Sequence, residues 1–118
     1  MSYVDGFVLA VPKTNKDAYR QMAAKGWEFF KEFGALHHIE CWEDDVPDGK
    51  ITDFRRAVQA KPDEAVVFSW IVYPSKDVRD AANKKMMSDP RMAKLKEMPF
   101  DAKRMMYGGF SPIFEEKK

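Results

Sequence analysis

Hydrophobic residues concentrate in two stretches of the chain, residues 3–12 and 65–73. In both stretches successive residues are apolar, so that both faces of an extended strand would be hydrophobic. A strand that is apolar on both faces belongs in the middle of a sheet. Each stretch ends near a proline and leads into a Lys-Asp step, Lys16-Asp17 or Lys76-Asp77, followed by a helical pattern. The repeated unit therefore predicts two inner strands, each followed by a helix.

The two predicted helices carry recognisable end signals. Thr14 or Asn15 is placed to cap the first helix and Gly34 to end it, while Ser75 is placed to cap the second. Apolar residues recur at helical spacing along both segments, which predicts one buried stripe on each helix. The stripes consist of Tyr19, Met22, Ala23, Gly26, Phe30 and Phe33 in the first helix, and of Val78, Ala81, Ala82 and Met86 in the second.

Two further segments read as weaker strands. In residues 35–43 polar side chains alternate onto both faces, which suits the edge of a sheet. In residues 104–110 the pair Gly108-Gly109 indicates a bulge or a close backbone approach. Both segments are therefore predicted to be edge strands.

The remaining segments are less regular. Residues 52–58 fit either a short strand or one or two helical turns. Asp89-Pro90 predicts the start of a short helix that Pro99 ends, because proline is favoured at the first helical position and stops a helix elsewhere. The charged residues from Glu115 to Lys118 predict a frayed tail.

The predicted order β-α-β-β-α-β is typical of a ferredoxin-like α+β fold. In that fold an antiparallel four-stranded sheet carries both helices on one face, with the first and third strands inside. We expect residues 1–118 to form a single domain of this kind. The inner strands also offer apolar residues to the face without helices, and an uncovered apolar face is typical of an interface. We therefore expect a homodimer in which two sheets pack face to face.

Composition narrows the class of protein. Hydrophobic residues make up 45% and charged residues 33%, as in a globular domain, and the formal net charge is +1. A near-neutral chain has no global attraction to nucleic acid or to anionic membranes, and no apolar run approaches the roughly 20 residues of a membrane helix. Cys41 is the single cysteine, and residues 1–5 lack a signal-peptide pattern. We expect a cytoplasmic protein with no nucleic-acid or membrane partner.

Four groups of short motifs follow one another along nearly the whole chain. They are Glu40-Cys41-Trp42 with Asp44-Asp45-Val46-Pro47-Asp48-Gly49-Lys50, Val66-Val67-Phe68-Ser69-Trp70-Ile71 with Tyr73-Pro74-Ser75, Asp89-Pro90-Arg91-Met92, and Met106-Tyr107-Gly108-Gly109-Phe110. Together these motifs resemble the YbaA-like family of small bacterial proteins of unknown function. The resemblance implies the dimeric α+β barrel superfamily, and it implies no catalytic residues.

The segment His37-His38-Ile39-Glu40-Cys41 is the most suggestive for chemistry. Strand alternation puts His38 and Glu40 on one face and His37 and Cys41 on the other, so the two histidines cannot bind one metal ion without distortion. We therefore favour an exposed polar edge over a metal site, and we expect no metal and no cofactor. Cys41 could be a nucleophile beside His37, but acidic neighbours disfavour its thiolate, so we favour a small core residue.

Two functional hypotheses remain. In the first, the dimer binds a small apolar molecule in a pocket beside the inner strands. In the second, the protein is a small cofactor-independent enzyme of oxygenase or isomerase type, by analogy of fold alone. A cavity containing a titratable side chain would favour the enzyme, and a pocket closed by Met and Phe would leave only a structural role. The candidate residues are Glu40, Trp70 and Asn83 for ligand contacts, and His38, Arg79 and Tyr107 for catalysis.

Overall fold

The computed structural model describes residues 2–90 and 98–118. The strands in these ranges are β1 (Tyr3–Pro12), β2 (His37–Trp42), β3 (Glu64–Tyr73) and β4 (Met106–Phe110). The helices are α1 (Lys16–Glu32), α2 (Phe54–Ala57) and α3 (Lys76–Ser88), with short 3-10 helices at Lys13–Asn15 and Ala102–Arg104. The short helix predicted between Pro90 and Pro99 falls on residues 91–97, which lie outside the described part of the chain. No helix within that part is long and apolar enough to cross a membrane.

The four strands form one antiparallel sheet in the order β2-β3-β1-β4. β1 and β3 pair along their whole length, from Tyr3 opposite Tyr73 to Pro12 opposite Glu64. β2 pairs with residues 67–72 of β3, and β4 pairs with residues 4–8 of β1. The prediction that the first and third strands lie inside, with the second and fourth at the edges, is confirmed.

The helix ends follow the predicted signals in part. Ser75 caps α3, since its Oγ accepts a hydrogen bond from the Val78 amide at 3.2 Å. Gly34 follows α1 with a φ of +110°, a conformation that side-chain-bearing residues rarely adopt, and ends the helix as predicted. The cap predicted at Asn15 is wrong, because its Nδ2 donates instead to the Pro99 carbonyl at 2.9 Å. Asn15 thereby joins the start of α1 to a distant part of the chain.

The helices α1 and α3 pack on the same face of the sheet. Tyr19 of α1 packs with Leu9 of β1, and Ala82 of α3 packs with Ile71 and Tyr73 of β3, all of them buried. Odd-numbered residues of β1 and β3 therefore face the two helices. The predicted stripes are confirmed except at Ala81, which is exposed.

The stretch that fits either a strand or helical turns forms α2. Asp53 caps this helix, since its Oδ1 accepts a hydrogen bond from the Arg56 amide at 2.7 Å. Val58, the residue after α2, is buried against Ala10 and Val66. These two residues point to the face of the sheet opposite α1 and α3. The segment around α2 therefore covers one end of that second face.

A buried ion pair fastens β3 to the segment before β4. Glu64 begins β3, and its two carboxylate oxygens each accept a hydrogen bond from Arg104 at 2.7 Å. Only 4% of the Glu64 side chain is exposed. The Arg104 hydrogen bonds are the main cause that lowers the pKa of Glu64 to about 2. The pair therefore depends on an ionised carboxylate at the start of β3.

We expect acid to weaken the fold through Glu64. Its carboxyl has a pKa of about 2 when folded, against an ordinary value of 4.5 in the unfolded chain. The corresponding stability is present above pH 4.5 and is lost as the pH falls toward 2, by up to about 3 kcal/mol. Urea unfolding should show the gap between wild type and Glu64→Gln narrowing from about pH 6 to about pH 3. Glu28→Gln, at an exposed position, is the control, and a gap that stays constant with pH would contradict the prediction.

Candidate functional site

The second face of the sheet, which we call the open face, is apolar. Even-numbered residues of β1, β3 and β4 and odd-numbered residues of β2 point to it. Apart from Glu64, which is buried in its ion pair with Arg104, none of these strand residues is Asp, Glu, Lys or Arg. They include Val4, Val8, Ile39, Phe68, Trp70, Val72, Met106 and Phe110.

A cleft of about 1140 Å³ lies on the open face. Val4 and Trp70 of the inner strands line it, together with Phe110 of β4. At the α2 end Phe68 stands edge-to-face between Phe54 and Trp70, with ring centroids 6.0 and 5.5 Å apart. Phe68 is 44% exposed and Phe110 63% exposed, so large apolar groups remain in contact with water.

The C-terminal tail, which we take as residues 113–118, runs along the rim of this cleft. Its residues are exposed as predicted, but Glu115 accepts a hydrogen bond from the Ser2 hydroxyl at 2.9 Å. Phe114 and Lys117 also line the cleft. The tail thus adds apolar surface to the open face and does not merely extend into solvent.

A second cavity of about 430 Å³ lies between α1 and the edge strand β2, on the other side of the sheet. We call it the α1–β2 pocket. Its lining combines aromatic and small apolar side chains with a few polar groups, as in many ligand sites. The polar lining residues are Lys16, Tyr19, Arg20, His38 and Glu40, and the other lining residues are Ala23, Ala24, Trp27, Cys41, Trp42 and Val67.

In this pocket Glu40 is held between two donors. The Tyr19 hydroxyl donates to Glu40 Oε1 at 2.6 Å, and His38 Nε2 lies 2.6 Å from Glu40 Oε2. Because a carboxylate only accepts, a neutral His38 must carry its proton on Nε2 to make this bond. Burial, and then the neighbouring Glu40 carboxylate, raise the pKa of Tyr19 well above its usual value. Tyr19 therefore remains a hydrogen-bond donor at neutral pH.

The prediction of an exposed polar edge at His38 and Glu40 is wrong. Their side chains are only 7% and 23% exposed. The rings of Trp27 and Phe30, both from α1, lie 6.2 and 5.5 Å from the His38 ring. Alternation along the strand correctly put the two polar residues on one face, but it could not show that α1 extends over the edge strand.

Tyr19 is a polar residue of this pocket that is not among the candidate site residues predicted from the sequence. It lies in the buried stripe of α1 and was predicted only as a core residue. A tyrosine on a buried stripe carries a hydroxyl that needs a hydrogen-bond partner, and this requirement is the signal in the sequence that points to Tyr19. The partner, Glu40, is 21 positions away on a different element. Local spacing could not have identified it.

Arg79 belongs to a different part of the molecule. Its Nε donates to Asp5 Oδ1 at 2.9 Å, and its Nη1 donates to Asp80 at 2.9 Å. Its guanidinium lies 5.1 Å from the centroid of the Tyr3 ring. Both Tyr3 and Arg79 press on Gly109, where an added Cβ would collide with their side chains. The close approach predicted at Gly108-Gly109 is thus confirmed, and Arg79 lines neither of the two cavities.

The remaining candidates are scattered. Trp70 points to the open face and lines its cleft. Tyr107 also borders the cleft, but strand alternation directs its side chain, 75% exposed, to the helix side of the sheet. Asn83 is exposed on α3 and lines neither cavity. Cys41 is half-buried rather than fully buried. The structure therefore brings His38 and Glu40 together, while Arg79 binds Asp5 and Asp80 instead.

Within residues 2–90 and 98–118, no three His, Cys, Asp or Glu side chains lie close enough together to hold a metal ion. The donor atoms of His38 and Glu40 are directed at each other.

Comparison with known proteins places the chain among uncharacterised relatives. A family described as "Protein of unknown function (DUF1428)" matches residues 2–102. The chain is 69% identical over 117 residues to "Uncharacterized protein YbaA" of Escherichia coli (strain K12), covering 98% of this chain and 100% of the relative. The protein of the same description from Shigella flexneri matches with the same identity and coverage. The resemblance to the YbaA-like family is confirmed.

We expect Tyr19→Phe to destabilise the fold by about 1–2 kcal/mol, since the change removes a hydrogen bond to a carboxylate in a half-buried pocket. Urea unfolding at neutral pH measures the effect. Tyr107→Phe removes the same atom from a residue that is 75% exposed, and it should leave stability unchanged. Equal effects of the two substitutions would mean that the Tyr19–Glu40 bond adds nothing.

Proposed function

We propose that this chain, which belongs to the family described as "Protein of unknown function (DUF1428)", works as a homodimer that binds a small apolar molecule beside its inner strands. In this proposal the chain has ferredoxin-like topology and two copies form a dimeric α+β barrel. The strand order and the packing of α1 and α3 on one face support that topology. The observation that carries the proposal is the uncharged, apolar open face.

The chemistry of the open face suits a second copy of the chain. A twofold axis brings the same patch of both copies together, so a face with charges of one sign would repel itself. The open face has no exposed strand charge, and each apolar square ångström removed from water contributes about 25 cal/mol. Met106 is 45% exposed, and in the tail Ile113 and Phe114 are 102% and 78% exposed. These side chains are available to bury.

The size of the open face also fits. With strands about 4.8 Å apart and a rise of about 3.4 Å per residue, a sheet of this shape has a planar area of roughly 500 Å². The tail and the α2 segment enlarge the contact surface toward the ~800 Å² per partner of a standard stable interface. A smaller partner, such as a single peptide strand, would leave much of the face uncovered.

The cleft supplies the ligand site in this proposal. A facing copy would convert the open cleft, with Trp70 and Val4 on its wall, into an enclosed apolar chamber. The chamber would select ligands by shape and apolar contact. A cytoplasmic location is part of the proposal, and the free Cys41 supports it, because disulfides are rare in that compartment.

We expect Phe110→Glu to convert the dimer into a monomer. Phe110 is 63% exposed on the open face, and a dimer would have to bury the new carboxylate against its own copy. Multi-angle light scattering at micromolar concentration measures the mass. Met87→Glu is the matched control, because Met87 is 90% exposed on α3 and its replacement should leave the dimer intact. A wild-type protein that runs as a monomer would overturn the proposal.

Ligand binding is tested with the same variants. N-phenyl-1-naphthylamine, a neutral apolar dye, should become fluorescent with wild type and with Met87→Glu, and should respond much less to monomeric Phe110→Glu. If the wild type is a dimer but does not increase the fluorescence of the dye, the dimer part of the proposal stands and the ligand-binding part is wrong.

A second candidate function is a cofactor-independent enzyme, and one observation favours it. The α1–β2 pocket is open and contains His38 with its Nε2 hydrogen-bonded to Glu40. A carboxylate that orients an imidazole is a recurring arrangement for general acid–base catalysis. Arg79, which the sequence also offers as a catalytic candidate, lies outside the pocket. Tyr19 takes its place as the group that fixes the Glu40 carboxylate.

For the enzyme we expect catalysed exchange of acidic C–H protons with D₂O in a panel of small ketones, followed by proton NMR. His38→Gln and Glu40→Gln should lower the exchange rate by about 100-fold or more, because general acid–base catalysis contributes that much. Arg79→Lys should retain the rate. Exchange that survives both pocket substitutions, or that wild type does not catalyse at all, would remove this candidate.

A further inference from the structure

We propose that the α1–β2 pocket binds a small organic cation, such as an ammonium compound, through the aromatic side chains of Trp27 and Trp42 and the carboxylate of Glu40. This inference goes beyond the proposed dimer and its apolar cleft, because the pocket lies on the helix side of the sheet. It uses the same pocket as the candidate enzyme but requires no reaction.

The interior of the pocket carries negative charge. Glu40 is 23% exposed, and its two hydrogen-bond partners are a tyrosine hydroxyl and an imidazole N–H. When His38 is neutral, neither partner offsets the charge of the carboxylate. A partly buried charge is screened less by salt than a charge at the surface. With a neutral His38 beside it, the Glu40 carboxylate therefore favours a cation inside the pocket.

The cation at the rim is already neutralised in part. Arg20 lines the pocket, but its Nη2 lies 2.6 Å from Asp17 Oδ1. Both side chains are largely exposed, at 73% and 70%. The Asp17 carboxylate offsets the charge of Arg20, so the pair leaves little net positive charge at the rim. Arg20 therefore does not turn the pocket into an anion site.

Aromatic rings supply the second element of cation recognition. Trp27 and Trp42 both line the pocket, and the face of an indole ring attracts a cation more strongly than any other aromatic side chain. Ala23 and Ala24 are the neighbouring lining residues of α1, and their small side chains leave room for a ligand.

Lys16 shows which charge this site attracts. Its ammonium lies 5.3 Å from the centroid of the Trp42 ring, so the chain already places one of its own cations on that ring. Lys16 is the first residue of α1 and is exposed, so its long side chain can move off the Trp42 ring into solvent. A ligand ammonium group would take its place on Trp42. Lys16 is therefore a built-in competitor, and removing it should strengthen cation binding.

The experiment uses the three tryptophan indole N–H signals in a ¹H–¹⁵N NMR spectrum of the full chain, assigned with single Trp→Phe variants. The probes are choline, its neutral carbon isostere 3,3-dimethylbutan-1-ol, and propionate. Choline should shift the Trp27 and Trp42 signals and leave Trp70, on the open face, unmoved. It should bind about 3- to 30-fold more tightly than the isostere, as a cation–π contribution of about 0.5–2 kcal/mol requires.

Two substitutions with opposite expected signs sharpen the test. Lys16→Gln should tighten choline binding by about two- to fivefold, since it removes the competing ammonium. Glu40→Gln should weaken choline binding by about tenfold or more, since it removes the interior charge. Glu28→Gln, on the exposed surface of α1, changes net charge equally and should have no effect. Unfolding midpoints of all variants establish that each is folded.

Three results would overturn the inference. Equal binding of choline and its isostere would mean an apolar site, and tighter binding of propionate that Lys16→Gln abolishes would mean an anion site. Absence of any shift of Trp27 and Trp42 with choline would mean that the pocket binds no such cation. None of these results bears on the mass of the assembly, so the dimer proposal succeeds or fails separately.

Discussion

The two inner strands are apolar on both sides, and this constraint shapes the rest of the molecule. Leu9 and Ile71 point to one side and Val8 and Trp70 to the other, so the sheet has to be shielded from water twice. The chain supplies α1 and α3 for one side only. On the other side the α2 segment shields one end, and the tail reaches the rim of the cleft. Among residues 2–90 and 98–118 nothing else covers the open face, and most of it is left for a partner or a ligand.

The edge strand β2 connects the two sides. Its alternation sends His38 and Glu40 under α1 and sends His37 and Ile39 to the open face. One six-residue strand therefore contributes to an apolar surface and to a polar pocket at once. The two surfaces lie on opposite sides of the sheet, so an apolar interface on one side does not occlude the pocket on the other.

The sequence correctly predicts the features that depend on a few adjacent residues. The double-sided apolar runs gave β1 and β3 their inner positions, and Ser75 and Gly34 marked helix ends, because period and capping are properties of a few adjacent residues. The predictions from sequence fail where a polar side-chain atom forms a hydrogen bond to a residue far away along the chain. Asn15 donates to Pro99, 84 positions away, and Tyr19 donates to Glu40. Such pairs depend on how elements pack, and no spacing rule within one segment can find them.

The placement of His38 and Glu40 also bears on how accurately the sheet assembles. If β2 slipped by one residue against β3, every one of its side chains would move to the opposite face. The Glu40 carboxylate would then lie among the apolar side chains of the open face without Tyr19 as a donor, while Ile39 would enter the polar pocket. An unpaired charge in apolar surroundings costs several kcal/mol. The polar pair thus disfavours a shifted register of β2. Backbone hydrogen bonds alone would not distinguish the shifted register from the observed one.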